Sequence, residues 1–357
     1  MSRFDFLLYG ANGYTGELIA RFCSEYQLKP LMAGRNETAL KQLEERFGYE
    51  YRVFPLESPD LLDQAVREVP LVLHAAGPFR HTAKPMMQSC LRNKVHYTDI
   101  TGEIPVFELC HGMDQMAREA GIMMMSGVGF DVVPTDCLAL FLKEQMPDAV
   151  SLQLAFTGTG GRPSRGTATT MAEGAGMPGA KREGGKIIPV PLGHKGMWVD
   201  FGEKKRFVMA IPWGDVSTAY YTTGIPEIET FTAVSPKTHQ RVKYLKYLNW
   251  LLKTSFVRNR MIRKIRSGPA GPSDAERLNN RSLVWGEVRN QHGSQLQARL
   301  SGPEGYTLTA HASLIIARKI KEGKWKPGYQ TPAGCFGSGL VLEIPGVSRE
   351  LVKPGSR

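Results

Sequence analysis

Over the first 130 residues, short apolar runs alternate with segments whose apolar residues recur every three or four positions. Phe4–Tyr9 is an apolar run of strand length, and Glu17–Phe22 after it has helical spacing. Leu28–Ala33, Tyr51–Leu56, Leu71–Ala76, Val95–Ile100 and Ile122–Val128 repeat the strand signal. Between them Glu37–Phe47, Ser58–Val69, Thr82–Arg92 and Pro105–Glu119 read as helices, with Ser58 or Asp60 near one cap. Met123–Met125 reads as core filling rather than a metal box. Six strands joined by right-handed crossovers predict an α/β fold, a doubly wound parallel sheet of Rossmann type over residues 1–130.

Past Gly129 the pattern changes. Pro134–Gln145 predicts one more helix. The strand-like segments Ser151–Phe156, Lys186–Val190, Trp198–Phe201, Arg206–Ala210, Tyr220–Thr223 and Glu229–Ala233 follow it, with long glycine-rich loops at Gly158–Gly166 and Gly174–Gly185. Lys237–Arg266 is a basic helix that Gly268–Pro272 stops. Leu283–Arg289 and Gln295–Ser301 flank a turn at His292-Gly293, and Tyr306–Ala310 opens a strand or leads into a helix through Lys319. This second half reads as an α+β substrate or catalytic domain over 131–330, a mostly antiparallel sheet with helices on one face. The stretch 331–357 is expected to pack back on the first domain.

Where the first strand ends, Gly10, Gly13 and Gly16 form G-x-x-G-x-x-G and open a helix. Between strand and helix such glycines allow a tight turn, close approach of backbone N–H groups to a pyrophosphate, and close helix packing. The helix N-terminus then offers its partial positive charge to the phosphates. Gly10, Asn12, Gly13, Tyr14, Thr15 and Gly16 are therefore expected to hold a dinucleotide. After the second strand, where a carboxylate would accept from a ribose 2′-hydroxyl, the chain has Gly34-Arg35-Asn36. Arg35, with Asn36, suits a 2′-phosphate, so the expected cofactor is NADP; a solvated arginine at a strand end is the plain alternative.

Ligands of such sheets bind at the carboxyl ends of the strands. The fourth strand ends in Ala76-Gly77-Pro78-Phe79, the fifth in Asp99–Glu103 and the sixth in Gly127–Asp131. Ala76, Gly77, Pro78, Phe79, Gly102 and Phe130 join the expected cofactor contacts. Asp99, Thr101, Glu103 and Asp131 are the candidate catalytic groups, with helix capping the plain alternative for Thr101 or Asp99.

Composition narrows the picture. A chain of 357 residues favours two domains, and 42% hydrophobic with 22% charged residues is ordinary for a globular protein. The five cysteines are scattered and odd in number, so free thiols in a reducing cytoplasm are expected. No basic segment followed by an apolar run opens the chain, and no apolar stretch reaches membrane-spanning length. Y-x-x-x-K, G-x-S-x-G, H-E-x-x-H and the P-loop pattern are absent. The eight histidines show no metal-ligand spacing, and His74 or His311 reads as a satisfied core residue.

These motifs together resemble the saccharopine dehydrogenase-like oxidoreductase family, in its branch with trans-acting enoyl reductases. The resemblance rests on Gly10–Gly16, Ala33–Arg35, Ala76–Phe79, His96–Glu103 and Gly129–Asp136, then Ser164–Thr167, Gly271–Ser273, Gly305–Thr307 and Gln330–Ala333. It implies a Rossmann domain with an α+β catalytic domain and NADP-dependent redox activity on a C=C or C=N bond of a small or lipid-like substrate. It does not choose the substrate.

The formal net charge of +11 has a local source: between Thr230 and Ser273 stand ten Lys or Arg and no acidic residue. Leu245, Leu248, Leu251, Leu252 and Phe256 fall on one helical face, and Lys243, Lys246 and Lys253 on another. A solvated surface helix is the plain reading. The sharper one docks 237–266 on an anionic membrane surface or an acyl carrier; nucleic acid ranks last for want of a binding fold. A non-catalytic NADP-binding adaptor and a peripheral membrane protein thus stand beside the reductase, and the choice between monomer and homodimer stays open.

Overall fold

A computed structural model describes residues 2–245, 249–252 and 254–352. Within them the chain forms two compact units, 2–133 with 306–336 and 134–305 with 337–352. In chain order the first unit begins β1 (Phe6–Tyr9), α1 (Tyr14–Phe22), β2 (Pro30–Gly34), α2 (Glu37–Phe47), β3 (Tyr51–Val53) and α3 (Pro59–Val66). It continues β4 (Leu71–His74), α4 (Phe79–Asn93), β5 (His96–Asp99), α5 (Ile104–His111), α6 (Asp114–Ala120) and β6 (Met123–Met125). The second unit opens with α7 (Val133–Gln145), β7 (Ala149–Gly158), α8 (Arg165–Glu173), β8 (Gly179–Glu183), β9 (Lys186–Val190), β10 (Gly196–Asp200) and β11 (Lys205–Ala210). Then come α9 (Asp215–Thr223), β12 (Glu227–Ala233), α10 (Pro236–Leu245), α11 (Asn249–Leu252), α12 (Ser255–Arg266), α13 (Asp274–Asn279), β13 (Arg281–Asn290) and β14 (Gln295–Pro303). The chain returns to the first unit with α14 (Gly305–Lys321), β15 (Gly328–Tyr329) and α15 (Pro332–Phe336), and ends in the second with β16 (Ser348–Val352).

The first unit's sheet has the order β15-β6-β5-β4-β1-β2-β3, every pair parallel. Strand order reverses between β1 and β4, the crevice where such sheets bind ligands. Phe6, Leu7 and Leu8 of β1 are fully buried because helices cover both faces of a parallel sheet. Hence β1, β4 and β6 are apolar without alternation. The doubly wound reading holds, with β15 as a seventh strand that the hydrophobic pattern does not signal: two residues are too short for a period.

The second unit's sheet runs β10-β11-β12-β7-β13-β14-β16, with β8 on β12 and β9 on β8. All these pairs are antiparallel except β12 with β7. Ala155, Val199, Phe201, Val208, Ala210, Phe231, Leu283 and Trp285 form one apolar cluster on it. The mostly antiparallel expectation therefore holds as well.

Several local readings differ from the structure. The expected boundaries, 131–330 for the second domain with 331–357 folded onto the first, do not coincide with the compact units. Residues 306–330 join the first unit, because α14 carries apolar or small residues on every side and needs burial all round. His311 stacks on Phe22 at 4.6 Å, and its Nδ1 lies 2.7 Å from the Tyr26 hydroxyl. Of the tail, α15 stays with the first unit, whereas β16 pairs antiparallel with β14 in the second sheet. Tyr220–Thr223 is the last turn of α9 rather than a strand: Thr223 Oγ1 donates to Ala219 O at 2.6 Å, and Gly224, at φ +70°, ends the helix. Pro105–Glu119 is two helices, α5 and α6, parted near Gly112 and Met113. The loop Gly158–Gly166 leads into α8, capped by Ser164, whose Oγ accepts from Thr167 N at 3.2 Å, and Gly174–Gly185 contains β8. The expected single helix 237–266 is α10, α11 and α12; Lys246, Leu248 and Lys253 lie outside the described residues, as do the side chains of Leu245 and Leu251.

Candidate dinucleotide and catalytic site

At the end of β1 the chain turns at Gly10, which has φ +89° and sits against β4. A Cβ there would lie 2.8 Å from Ala76 N. A side chain at Gly16 would overlap the Gly10 carbonyl oxygen, so α1 closes on the loop only because both positions are glycine. Gly10 N donates to Ala33 O at 2.8 Å, and Gly13 N to Gly10 O at 2.9 Å. Gly13 is the N-cap of α1 and provides no side-chain cap. Asn12 and Gly13 are exposed, and Tyr14 and Thr15 half-buried. The first-turn N–H groups of α1 thus stand at an open surface, as phosphate binding requires. Asn12 Oδ1 lies under Gly34, where a Cβ would come within 2.8 Å.

Arg35 is exposed at the carboxyl end of β2 and makes no ion pair among the described residues. Its charge is felt by Tyr9, whose hydroxyl burial pushes up to about 12 and Arg35 pulls down. Asn36 caps α2, its Oδ1 accepting from Ala39 N at 3.1 Å. That oxygen is engaged within the chain. At the end of β4, Gly77-Pro78 is a cis peptide, and Gly77 is exposed with Ala76 half-buried. Phe79 points the other way: it is buried, edge-on to His74 at 5.4 Å.

The four candidate acids and hydroxyls separate into different jobs. Asp99 accepts from Tyr97 Oη at 2.8 Å, Ser126 Oγ at 2.9 Å, and the N–H groups of Thr101 and Gly127 at 3.0 Å each. Burial pushes it up to about 6 against the pull of those bonds. With four donors Asp99 is a brace joining the ends of β5 and β6. Thr101 Oγ1 accepts from Glu103 N at 3.1 Å and is buried, a local turn of the capping kind. Glu103 accepts from Phe79 N at 2.8 Å and Arg80 Nε at 3.0 Å, which satisfies an end group of α4 from the loop that leads from β5 into α5. Among the described residues none donates a hydrogen bond to the Asp131 carboxylate. Its carboxylate lies over Gly102, where a Cβ would come within 2.5 Å of Oδ2. Burial, and then the charge of Glu103, push Asp131 up to about 7. Gly102 and Phe130 border it, both half-buried, and Phe130 N donates to Thr309 Oγ1 at 2.9 Å.

Sequence reasoning gave Tyr306 and Thr309 no site role, placing them only in a strand or helix and Gly305–Thr307 in the resemblance. Tyr306 meets Tyr14 edge-on at 4.9 Å, and Thr309 anchors the Phe130 loop. Only the all-round apolar pattern of α14 hinted that this helix supports the first sheet. In the second unit, a cleft of about 240 Å³ is lined by Lys181, Lys195, Glu227 and Glu229 among others, and Glu229 is held by Lys195 at 2.5 Å and His194 at 2.9 Å. Among the described residues no group of three His, Cys, Asp or Glu side chains could hold a metal ion.

Residues 6–125 match the family model of the saccharopine dehydrogenase NADP binding domain. Over this segment the chain is similar to that nicotinamide-dinucleotide-binding family. The segment contains β1 to β6 and the loops just described, except the Gly129–Asp131 turn. The chain is 25% identical over 173 residues to a saccharopine dehydrogenase-like oxidoreductase of Mus musculus, covering 43% of this chain and 40% of that protein. It is 30% identical over 144 residues to a trans-acting enoyl reductase of Mycobacterium leprae (strain TN), covering 37% and 34%. The aligned region spans about two fifths of the length of the relatives matched. The fold extends further: saccharopine dehydrogenase (L-Glu forming) from Saccharomyces cerevisiae superposes with a TM-score of 0.68 over 98% of this chain and 99% of that one, at 13% identity.

Proposed function

We propose that the chain is an NADP-dependent oxidoreductase that reduces a C=C or C=N bond of a small or lipid-like substrate. The observation that carries the reading is the pairing of an open, glycine-built turn at the α1 N-terminus with an exposed Arg35 at the end of β2 that makes no ion pair among the described residues. The turn suits a dinucleotide because Gly10 and Gly16 let it pack against β4 and let α1 close on the loop, which leaves the first-turn N–H groups at an open surface. Arg35 supplies the cation for a 2′-phosphate, and neither Arg35 nor Asn36 offers the carboxylate that a free 2′-hydroxyl would favour. When bound, the reduced nicotinamide supplies hydride. The chain's own task is to orient the ring and deliver a proton to the other atom of the reduced bond. Asp131 suits that task, since a carboxyl titrating near 7 holds a proton at neutral pH and can release it. Asp99 and Glu103 are fully engaged in bracing and capping. Similarity to a trans-acting enoyl reductase favours C=C over C=N.

The test is equilibrium binding followed by turnover. NADPH should bind more tightly than NADH. Arg35→Ala should weaken NADPH at least tenfold and leave NADH nearly unchanged, because only the 2′-phosphate contact is lost. Equal loss for both cofactors would remove the NADP assignment. Oxidation of NADPH in the presence of enoyl thioesters or cyclic imines then separates the reductase from a non-catalytic adaptor. Tight binding with no turnover across both substrate classes would favour the adaptor.

A further inference from the structure

We propose that the outward face of α10–α12 docks the protein on a membrane surface rich in anionic phospholipid. Seven exposed described cations stand on these helices, Lys237, Arg241, Lys243, Arg260, Arg263, Lys264 and Arg266, while Arg258 is half-buried. None makes an ion pair among the described residues, and no acidic residue occurs from Thr230 to Ser273. Elsewhere in the chain cations are commonly paired, as Arg52 is with Glu68 and Arg92 with Asp63.

The exposed apolar residues of the same segment point to lipid. Tyr244, Trp250 and Phe256 are 72%, 71% and 76% exposed. Single exposed apolar residues are unremarkable in any protein. Three aromatics in one acid-free segment are not. On α10, Lys237, Arg241 and Tyr244 recur at one helical stripe, while His239 turns inward with its Nε2 2.7 Å from Gly193 O. On α12, Phe256, Arg260 and Arg263 make the outward stripe, Met261 and Lys264 flank it, and the half-buried Ile262 and Ile265 lie on the other side. That inner side packs on α8. The helices α10 and α12 thus each have an anchored side and a free side that mixes cations with aromatic or apolar groups. Cations strengthen attachment to anionic headgroups, and Trp, Tyr and Phe insert at the headgroup–acyl boundary. An acidic protein partner would use the charges but leave the aromatics exposed to water. The inference is independent of the dinucleotide reading.

The experiment uses the full chain and vesicles of phosphatidylcholine, with and without about one third phosphatidylserine. Co-sedimentation should require the anionic lipid and should fall steeply between about 0.05 and 0.5 M salt. Trp emission should shift to the blue on binding, and Trp250→Phe should remove most of that shift. The triple variant R260E/R263E/K264E should lose at least tenfold in vesicle affinity while its unfolding midpoint and NADPH affinity stay at the parent values. Absence of binding to anionic vesicles at low salt overturns the proposal. So does equal binding to neutral vesicles, or binding to poly-glutamate with none to vesicles, which would mark an acidic protein partner.

Discussion

At the scale of single residues, Asp131 is the most informative group. Its folded-state proton affinity is raised to about 7, above the ordinary carboxyl range near 4. Between about pH 4 and 7 the folded chain therefore holds a proton that the unfolded chain has released, and stability falls as pH rises through that window. His74 acts in the opposite sense. Burial lowers it to about 3, so its contribution is complete above about pH 6.5 and is lost as pH falls. Comparing parent and Asp131→Asn by denaturant unfolding at pH 5 and pH 8 isolates the first effect. The variant should gain roughly 2–4 kcal/mol on the parent between the two pH values. If Asp131 is also the acid, the parent's kcat should decline above about pH 7, and the variant should lose both that limb and at least a hundredfold in kcat. An unchanged pH profile would leave Asp131 a structural residue.

Elements decide what the neighbouring candidates do. Asp99 stands beside the same crevice, yet β5, β6 and their turns direct four donors at it. Asp99→Asn turns part of that acceptor into a donor facing donors. It should cost roughly 2–4 kcal/mol in denaturant unfolding and leave kcat less affected than Asp131→Asn does. A second element-scale prediction concerns α14. Thr309 Oγ1 holds Phe130 N, so Thr309→Val, close in volume but without the hydroxyl, should destabilise by about 1–2 kcal/mol and loosen the Phe130–Asp131 turn. Faster hydrogen exchange at 129–131 would report it; unaltered exchange would show the turn to be held by packing alone.

For the whole molecule, the first unit is discontinuous in sequence. Leu308, Ala310, Leu314, Ile315, Ile316 and Ile320 of α14 are buried, and β15 pairs with β6. A fragment ending at residue 133 should therefore expose an apolar face, bind a hydrophobic dye and unfold without cooperativity, whereas one that joins 2–133 to 305–336 by a flexible linker should unfold in a single transition. Thiol chemistry should respect the same packing. Burial pushes the thiols of all five cysteines up, but Cys23, Cys90, Cys110 and Cys137 are buried and Cys335 is half-buried, so Cys335 should be the first to react with a thiol reagent in the native state. Among the described residues no helix is long and apolar enough to cross a membrane.

Local physics determined a great deal of this protein. The alternation of apolar runs and helical periods, with Gly10, Gly13 and Gly16 between the first strand and helix, was sufficient for the doubly wound sheet and the tight glycine turn into α1, because each feature is built from neighbouring residues. The same holds for Arg35 at a strand end and for the acid-free segment after Thr230. Tertiary structure decided what depends on distant partners. It brought α14 across to the first sheet, turned Tyr220–Thr223 into helix, and moved β16 onto β14. It also sorted Asp99, Thr101, Glu103 and Asp131, which look interchangeable as a string of polar residues. A carboxylate's role depends on the donors that reach it: four at Asp99, two at Glu103, and at Asp131 only burial and a neighbouring negative charge. Those donors come from other strands and loops, and only the folded chain brings them together.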